Sequence, residues 1–251
     1  MSIAFYHQFV LFWIALSVVT FLALLKITAP YGRHTRKGWG PSISNTAGWV
    51  LMEIVSPAVF AFFFLKGGNN STANWMLFSL WMMHYVNRSL IFPFRIHDKN
   101  KTMPLMICLM AVFFNSINGF LNGYWLGSLK TYDAAWLSDW RFITGVILFV
   151  SGFLINFTSD NILLNLRKNK ANGAYKIPTG GFYKWISCPN YFGETLEWFG
   201  WALATWSLPG LSFALWTAAN LIPRAMSNHK WYKETFPDYP NERKSIIPFV
   251  F

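Results

Sequence analysis

Charged side chains are scarce in this sequence: 12% of its 251 residues are Asp, Glu, Lys or Arg, where soluble domains carry about 25%. Beside 54% hydrophobic residues, with 25 Phe and 14 Trp, that shortage excludes an ordinary soluble domain, because one core of this size cannot bury so much apolar surface. Acids are scarcer than bases, 10 against 21. The resulting net charge of +11 is broken into short segments between apolar runs. Without a continuous basic face, nucleic acid is not an expected partner; topology and an anionic ligand are. Only Cys108 and Cys188 occur, in no CxxC or Cys/His grouping, so neither a disulfide framework nor a metal site is expected. There is no GxGxxG and no P-loop pattern. A nucleotide would therefore have to be held by side chains.

What is present is a series of apolar runs, each about 20 residues long and able to span a bilayer. They cover Phe5–Ala29, Ala47–Lys66, Asn74–Phe94, Met103–Leu126 and Phe142–Leu164. The first has no Lys or Arg before it and is too long for a signal-peptide core, so it reads as a retained span. Tyr191–Ala225 is too long for one span, and Ser207-Leu208-Pro209-Gly210 at its middle predicts a tight turn between two. That makes seven. Loops one, three and five and the tail carry 17 Lys and Arg: Arg33, Arg36, Lys37; Arg88, Arg95, Lys99, Lys101; Arg167, Lys168, Lys170, Lys176, Lys184; Arg224, Lys230, Lys233, Arg243, Lys244. The opposite loops carry three, Lys66, Lys130 and Arg141. Positive charge is retained on the cytoplasmic side. The expected fold is all-α, a polytopic integral membrane protein of seven transmembrane helices in one domain over residues 1–251, N-terminus outside and C-terminus cytoplasmic.

Polar residues inside such spans are costly, an acid at a helix centre by roughly 2.5–3.5 kcal/mol on insertion scales, and are functional candidates by default. Glu53 in the second span could instead be a boundary acid turned toward water or a lysine. WMMHYVNRSL in the third span sets His84, Tyr85, Asn87 and Arg88 in consecutive turns. A buried Tyr85 beside Glu53 could donate a hydrogen bond to a ligand oxygen and polarise a carbonyl. Asn156, Asp160, Leu163 and Arg167 recur on one helical face; this is either an ordinary helix-end charge arrangement or a grip on a phosphorylated cofactor. Asn190, Glu194, Glu197 and Trp201 share a face by the same spacing, and Arg224, Asn228, His229 and Tyr232 follow in the tail. The two inward-running stripes read as walls of one cavity. Glu194 is expected at the cofactor, and Glu197 one turn deeper as a supporting, substrate-side or purely structural acid.

In NFTSD, PNYFGETLEWFGWALATWSLP and DYPNERKSIIPFVF, and more sparsely in YGRHT, Trp49–Glu53 and HYVNR, the chain resembles the steroid 5-alpha-reductases over most of its length. The resemblance implies an NADPH-dependent membrane oxidoreductase that reduces the C4–C5 double bond of a 3-oxo-Δ4 steroid by hydride transfer to C5, in a monomer embedded in the bilayer. It implies catalytic roles for Tyr85 and Glu53 and a substrate wall at Trp49. It places Arg88, Arg95, Asn156, Asp160, Arg167, Lys176, Asn190, Glu194, Arg224, Asn228 and Tyr232 at the cofactor, most of them in 142–251. Two positions depart from the familiar pattern, Lys176 for an arginine and Asn228 for a histidine. Lysine keeps the charge but loses the planar fork. The membrane implied is the endoplasmic reticulum in a eukaryote or the inner membrane in a bacterium. Alternatives are a reductase of another enone lipid, an S-adenosylmethionine-dependent membrane methyltransferase of related architecture, and a non-enzymatic scaffold, which leaves the polar stripes unexplained.

Overall fold

The computed structural model describes residues 1–30, 32–36, 38–97, 100–168 and 175–251; of the loop cations, Lys37, Lys99 and Lys170 fall outside these ranges, as does Tyr31. The described residues are mostly helical, with α1 (Ile3–Lys26), α2 (Asn45–Gly67), α3 (Thr72–Val86), α4 (Leu105–Tyr124), α5 (Trp140–Lys168), α6 (Pro189–Thr205) and α7 (Leu208–Thr235). A short antiparallel pair, β1 (Ser42–Ser44) with β2 (Thr102–Pro104), ties the segment before α2 to the one before α4. Among the described residues, four helical segments are long and apolar enough to cross a membrane: Ile3–Lys26, Asn45–Gly67, Leu105–Leu129 and Trp140–Lys168. The other three expected spans are also helical, but α3 has 15 α-helical residues and α6 has 17, while α7 runs on into the polar sequence after Arg224.

α1 shows how little of such a helix is inside the protein. Its buried residues are Tyr6, Val10, Trp13 and Ser17, one stripe at helical spacing. Phe5, Leu11, Phe12, Val18, Val19, Leu22 and Leu25 are exposed, a distribution that suits lipid rather than water. The stripe is fastened by polar contacts at its rim: Tyr6 Oη donates to Leu121 O at 2.8 Å, and Trp216 Nε1 to Trp13 O at 2.9 Å.

The third and fourth helices do not end as α-helices. A π turn at Asn87–Ile91 extends α3, and another at Trp125–Leu129 extends α4. The expected turn after α6 is also displaced. Trp206, in the left-handed conformation at φ 40°, and Ser207 make the bend, whereas Pro209 and Gly210 lie in the first turn of α7. Proline suits that turn because its missing N–H has no helical partner there. Ser207 Oγ caps the helix by accepting from Gly210 N at 3.1 Å.

α5 and α6 pack backbone to backbone along a seam of glycines. A Cβ at Gly152 would collide with the backbone of Glu197 and with Gly193 O, and one at Gly193 with the backbone of Asn156. Gly145 and Gly200 meet backbone across the same seam. Close backbone contact is what small residues permit where no water drives helices together. Gly152→Val should therefore lower stability by at least about 1–3 kcal/mol, read as a lower thermal midpoint in detergent, with Gly152→Ala intermediate; an unchanged midpoint would contradict the seam.

Candidate active site

Four helices converge on Arg88. It sits in the π turn that extends α3, a kind of distortion frequent at functional sites. Its Nη1 lies 3.4 Å from Asp160 Oδ2 on α5, and its Nη2 3.6 Å from Glu194 Oε2 on α6. The guanidinium also lies over the rings of Trp49 on α2, at 4.8 Å, and Phe92, at 5.0 Å. Glu53, one turn along α2 from Trp49 and half-buried, is within electrostatic reach of Arg88, Glu194 and His84. A buried arginine between carboxylates supplies the partners that acids in a membrane protein require.

The two stripes form one network. Asn190 Nδ2 donates to Asp160 Oδ1 at 3.1 Å, and Asn156 Nδ2 donates to Asn190 O at 2.9 Å and to Glu194 Oε2 at 3.3 Å. The glycine seam brings them within reach, since Gly193 packs against Asn156 and Gly152 against Glu197. Tyr85 is buried, with Glu53 as its principal charged neighbour, and its hydroxyl approaches Ser56, whose Oγ makes no hydrogen bond. Such an arrangement can hold a phenolic donor in an apolar wall while acids and amides hold a polar ligand beside it.

Further along α5, Arg167 is within electrostatic reach of Asp160, which itself bonds to Arg88 and Asn190. Arg167 lines a cleft with Arg33, Tyr175, Lys176 and Tyr232. There the guanidinium of Arg33 lies 4.5 Å from the Trp231 ring and 4.6 Å from that of Tyr232. Its Nη2 donates to Tyr232 Oη at 3.3 Å, and its Nη1 is buried without a hydrogen bond. Arg224 Nε donates to Tyr191 Oη at 2.7 Å. His34 Nε2 meets Asn228 Oδ1 at 3.1 Å. Arg95 reaches α5 instead, donating to Asn161 Oδ1 at 2.5 Å. Three cations thus line a cleft that has no carboxylate among its lining residues. Among the described residues no three His, Cys, Asp or Glu side chains gather as a metal site.

The C-terminal segment closes this end. Ser187 Oγ, just before α6, contacts His229 Nδ1 at 2.5 Å and Tyr239 Oη at 2.6 Å, while Arg243 Nη1 donates to Pro178 O at 3.0 Å. Lys244 pairs with Ile186 across a backbone bridge.

The family model for 3-oxo-5-alpha-steroid 4-dehydrogenase matches residues 101–251. The chain is 41% identical to the steroid 5-alpha-reductase DET2 of Gossypium hirsutum, over 98% of this chain and 97% of that one. It is 43% identical to a bovine (Bos taurus) 3-oxo-5-alpha-steroid 4-dehydrogenase 1, over 94% of this chain and 93% of the relative. With the human protein of the same name it shares 41%, over 88% and 86%. The chain belongs to the steroid 5-alpha-reductase family. This reductase is an oxidoreductase acting on CH–CH groups, which sets aside the methyltransferase and scaffold readings.

Two parts of this candidate site were not among the residues singled out as catalytic or ligand-binding. Arg33 reads in sequence as one more loop cation, and only the three surrounding rings mark it out. His84 was visible beside Tyr85, but its partner Glu197 lies 113 residues away. His34 yields a pH dependence. Burial, together with Arg224, Arg33 and Arg36, holds its imidazole below the ordinary value, against the hydrogen bond to Asn228. A depressed folded-state value means that its contribution to stability is complete above the unfolded value and is lost as pH falls through the folded one. The thermal midpoint of the cofactor-free reductase should drop on acidification from about pH 7.5 to about pH 5.5, and His34→Gln should shrink that drop; equal slopes would exclude His34 as a contributor.

Proposed function

We propose that the enzyme reduces the C4–C5 double bond of 3-oxo-Δ4 steroids with NADPH, as one domain in a membrane crossed by all seven helices, N-terminus outside and C-terminus in the cytoplasm. The observation that carries this reading is Tyr85 and Glu53 standing beside the Arg88–Asp160–Glu194 cluster in a chain of this family. The substrate class comes with the names of the relatives, the 3-oxo steroid dehydrogenases.

The residues fit the cofactor. Arg33, Arg167 and Lys176 line a cleft without a carboxylate, and the buried Arg33 Nη1 lacks a hydrogen bond, which suits phosphate. The Asn156–Asn190–Glu194–Asp160 network offers amide donors and carboxylate acceptors suited to a carboxamide and sugar hydroxyls. When bound, NADPH supplies the hydride that C5 receives.

The chain's own contribution is polarisation and enclosure. Tyr85 donates a hydrogen bond to the ketone, drawing electron density from C5 through the conjugated alkene, and Glu53 orients the hydroxyl. Trp49, lying against Phe92 at 5.2 Å between ring centres, is the flat apolar wall a steroid face requires. Asp160 and Glu194 keep Arg88 in place beneath it.

Tyr85→Phe should lower kcat for a 3-oxo-Δ4 steroid by roughly 10²–10⁴-fold with NADPH affinity unchanged. The check is NADPH oxidation across a small steroid panel beside equilibrium cofactor binding; wild-type turnover by the variant would remove Tyr85 from this role.

A further inference from the structure

Behind Tyr85 lies a second acid that neither the polarisation of the ketone nor the grip on the cofactor uses. Glu197, on α6, is 0% exposed, and its Oε1 is 2.8 Å from Nδ1 of His84, which is 3% exposed. Its other oxygen, Oε2, is buried and has no hydrogen-bond partner. A carboxylate serving only to hold His84 would be expected to have both oxygens satisfied, because a buried orphan acceptor costs about 1–3 kcal/mol. The couple is wedged against the catalytic wall. The His84 ring meets Tyr85 edge-on at 4.9 Å and Trp198 at 4.6 Å, and Trp198 lies 5.8 Å from Tyr85. Glu53 acts on Tyr85 from α2, whereas Glu197 on α6 reaches it through His84, the neighbour of Tyr85 on α3.

Reduction of an enone adds one hydride and one proton, so each turnover consumes a proton inside a closed apolar site. We propose that His84 and Glu197 form the proton reserve of the reaction, acting through Tyr85. Hydride arriving at C5 leaves an enolate held by the Tyr85 hydroxyl. The Tyr85 O–H bond then breaks as the C4–H bond forms and the electron pair returns from oxygen to restore the ketone. The tyrosinate takes the proton held between His84 and Glu197, and the couple, left one proton short, regains it from water before the next turnover. Glu53 has the separate task of orienting the hydroxyl. Around the couple, besides burial, the groups that set its proton affinity are Glu194 on α6, Arg88 on the π turn after α3, and Glu53 on α2. This inference rests on the reductase reading given above.

Glu197→Gln keeps size and a hydrogen bond to His84 but holds no exchangeable acid proton. The expected result is a kcat lower by roughly 10²-fold, a larger solvent deuterium isotope effect on kcat and an altered pH profile, with unchanged equilibrium affinities for NADPH and steroid. Glu197→Asp, which restores an acid, recovers part of the rate and the profile. If Glu197→Gln does not fold, His84→Gln is read in the same way. A variant whose pH profile and isotope effect match wild type, whatever its kcat, overturns the proton reserve and leaves the reductase reading intact. A wild-type protein that oxidises NADPH with no 3-oxo-Δ4 steroid overturns both.

Discussion

The seam of glycines between α5 and α6 is the contact on which the site depends. Hydrocarbon offers no hydrophobic drive for helix pairing, so association must come from close packing and from hydrogen bonds. Removing side chains at Gly145, Gly152, Gly193 and Gly200 lets the two backbones touch. Short polar side chains then span the gap: Asn156 reaches both Asn190 and Glu194, and Asn190 reaches Asp160. With a wider spacing these amides would fall short, and Asp160 and Glu194 could not flank one arginine.

Charge is compensated locally. Arg88 answers Asp160 and Glu194, with Glu53 in reach, while His84 and Glu197 are joined by a hydrogen bond. At the other end, cations outnumber acids, and aromatic rings take the place of carboxylates around Arg33. The protein therefore has one neutralised cluster and one that is left positive. Such a polarity suits a ligand whose charge is concentrated at one end.

Much of this was legible in the amino-acid order, because helical spacing projects directly onto a face. Asn156 with Asp160, and Asn190 with Glu194, are separated by one turn, and the structure presents them to each other. The positions of the helices were readable from the apolar runs. The sense of the turn after α6 was readable too, but not its detail, since Trp206 takes a left-handed conformation that no composition rule assigns to tryptophan. Contacts between distant helices were not readable. Nothing local to His84 names Glu197, and nothing local to Arg33 announces Trp231. Arg167 shares a helix face with Asp160 and is within its electrostatic reach, yet the acid bonds to Arg88, which arrives from another helix. The roles of Tyr85, Glu53 and the cofactor residues rest on placement joined to family membership.

The π turn at Asn87–Ile91 has a consequence for how this site can vary among descendants of one gene. A π turn is an α-helix holding one residue more than its hydrogen-bond ladder needs. Loss of a single codon there would restore regular winding and leave the segments on either side nearly in phase, because the turn absorbs the extra residue locally. Tyr85 and Phe92 would keep their places while the side chains inside the turn, Arg88 among them, were re-aimed. Point substitutions can drift through this segment one side chain at a time, whereas a change of length redirects Arg88 in one step.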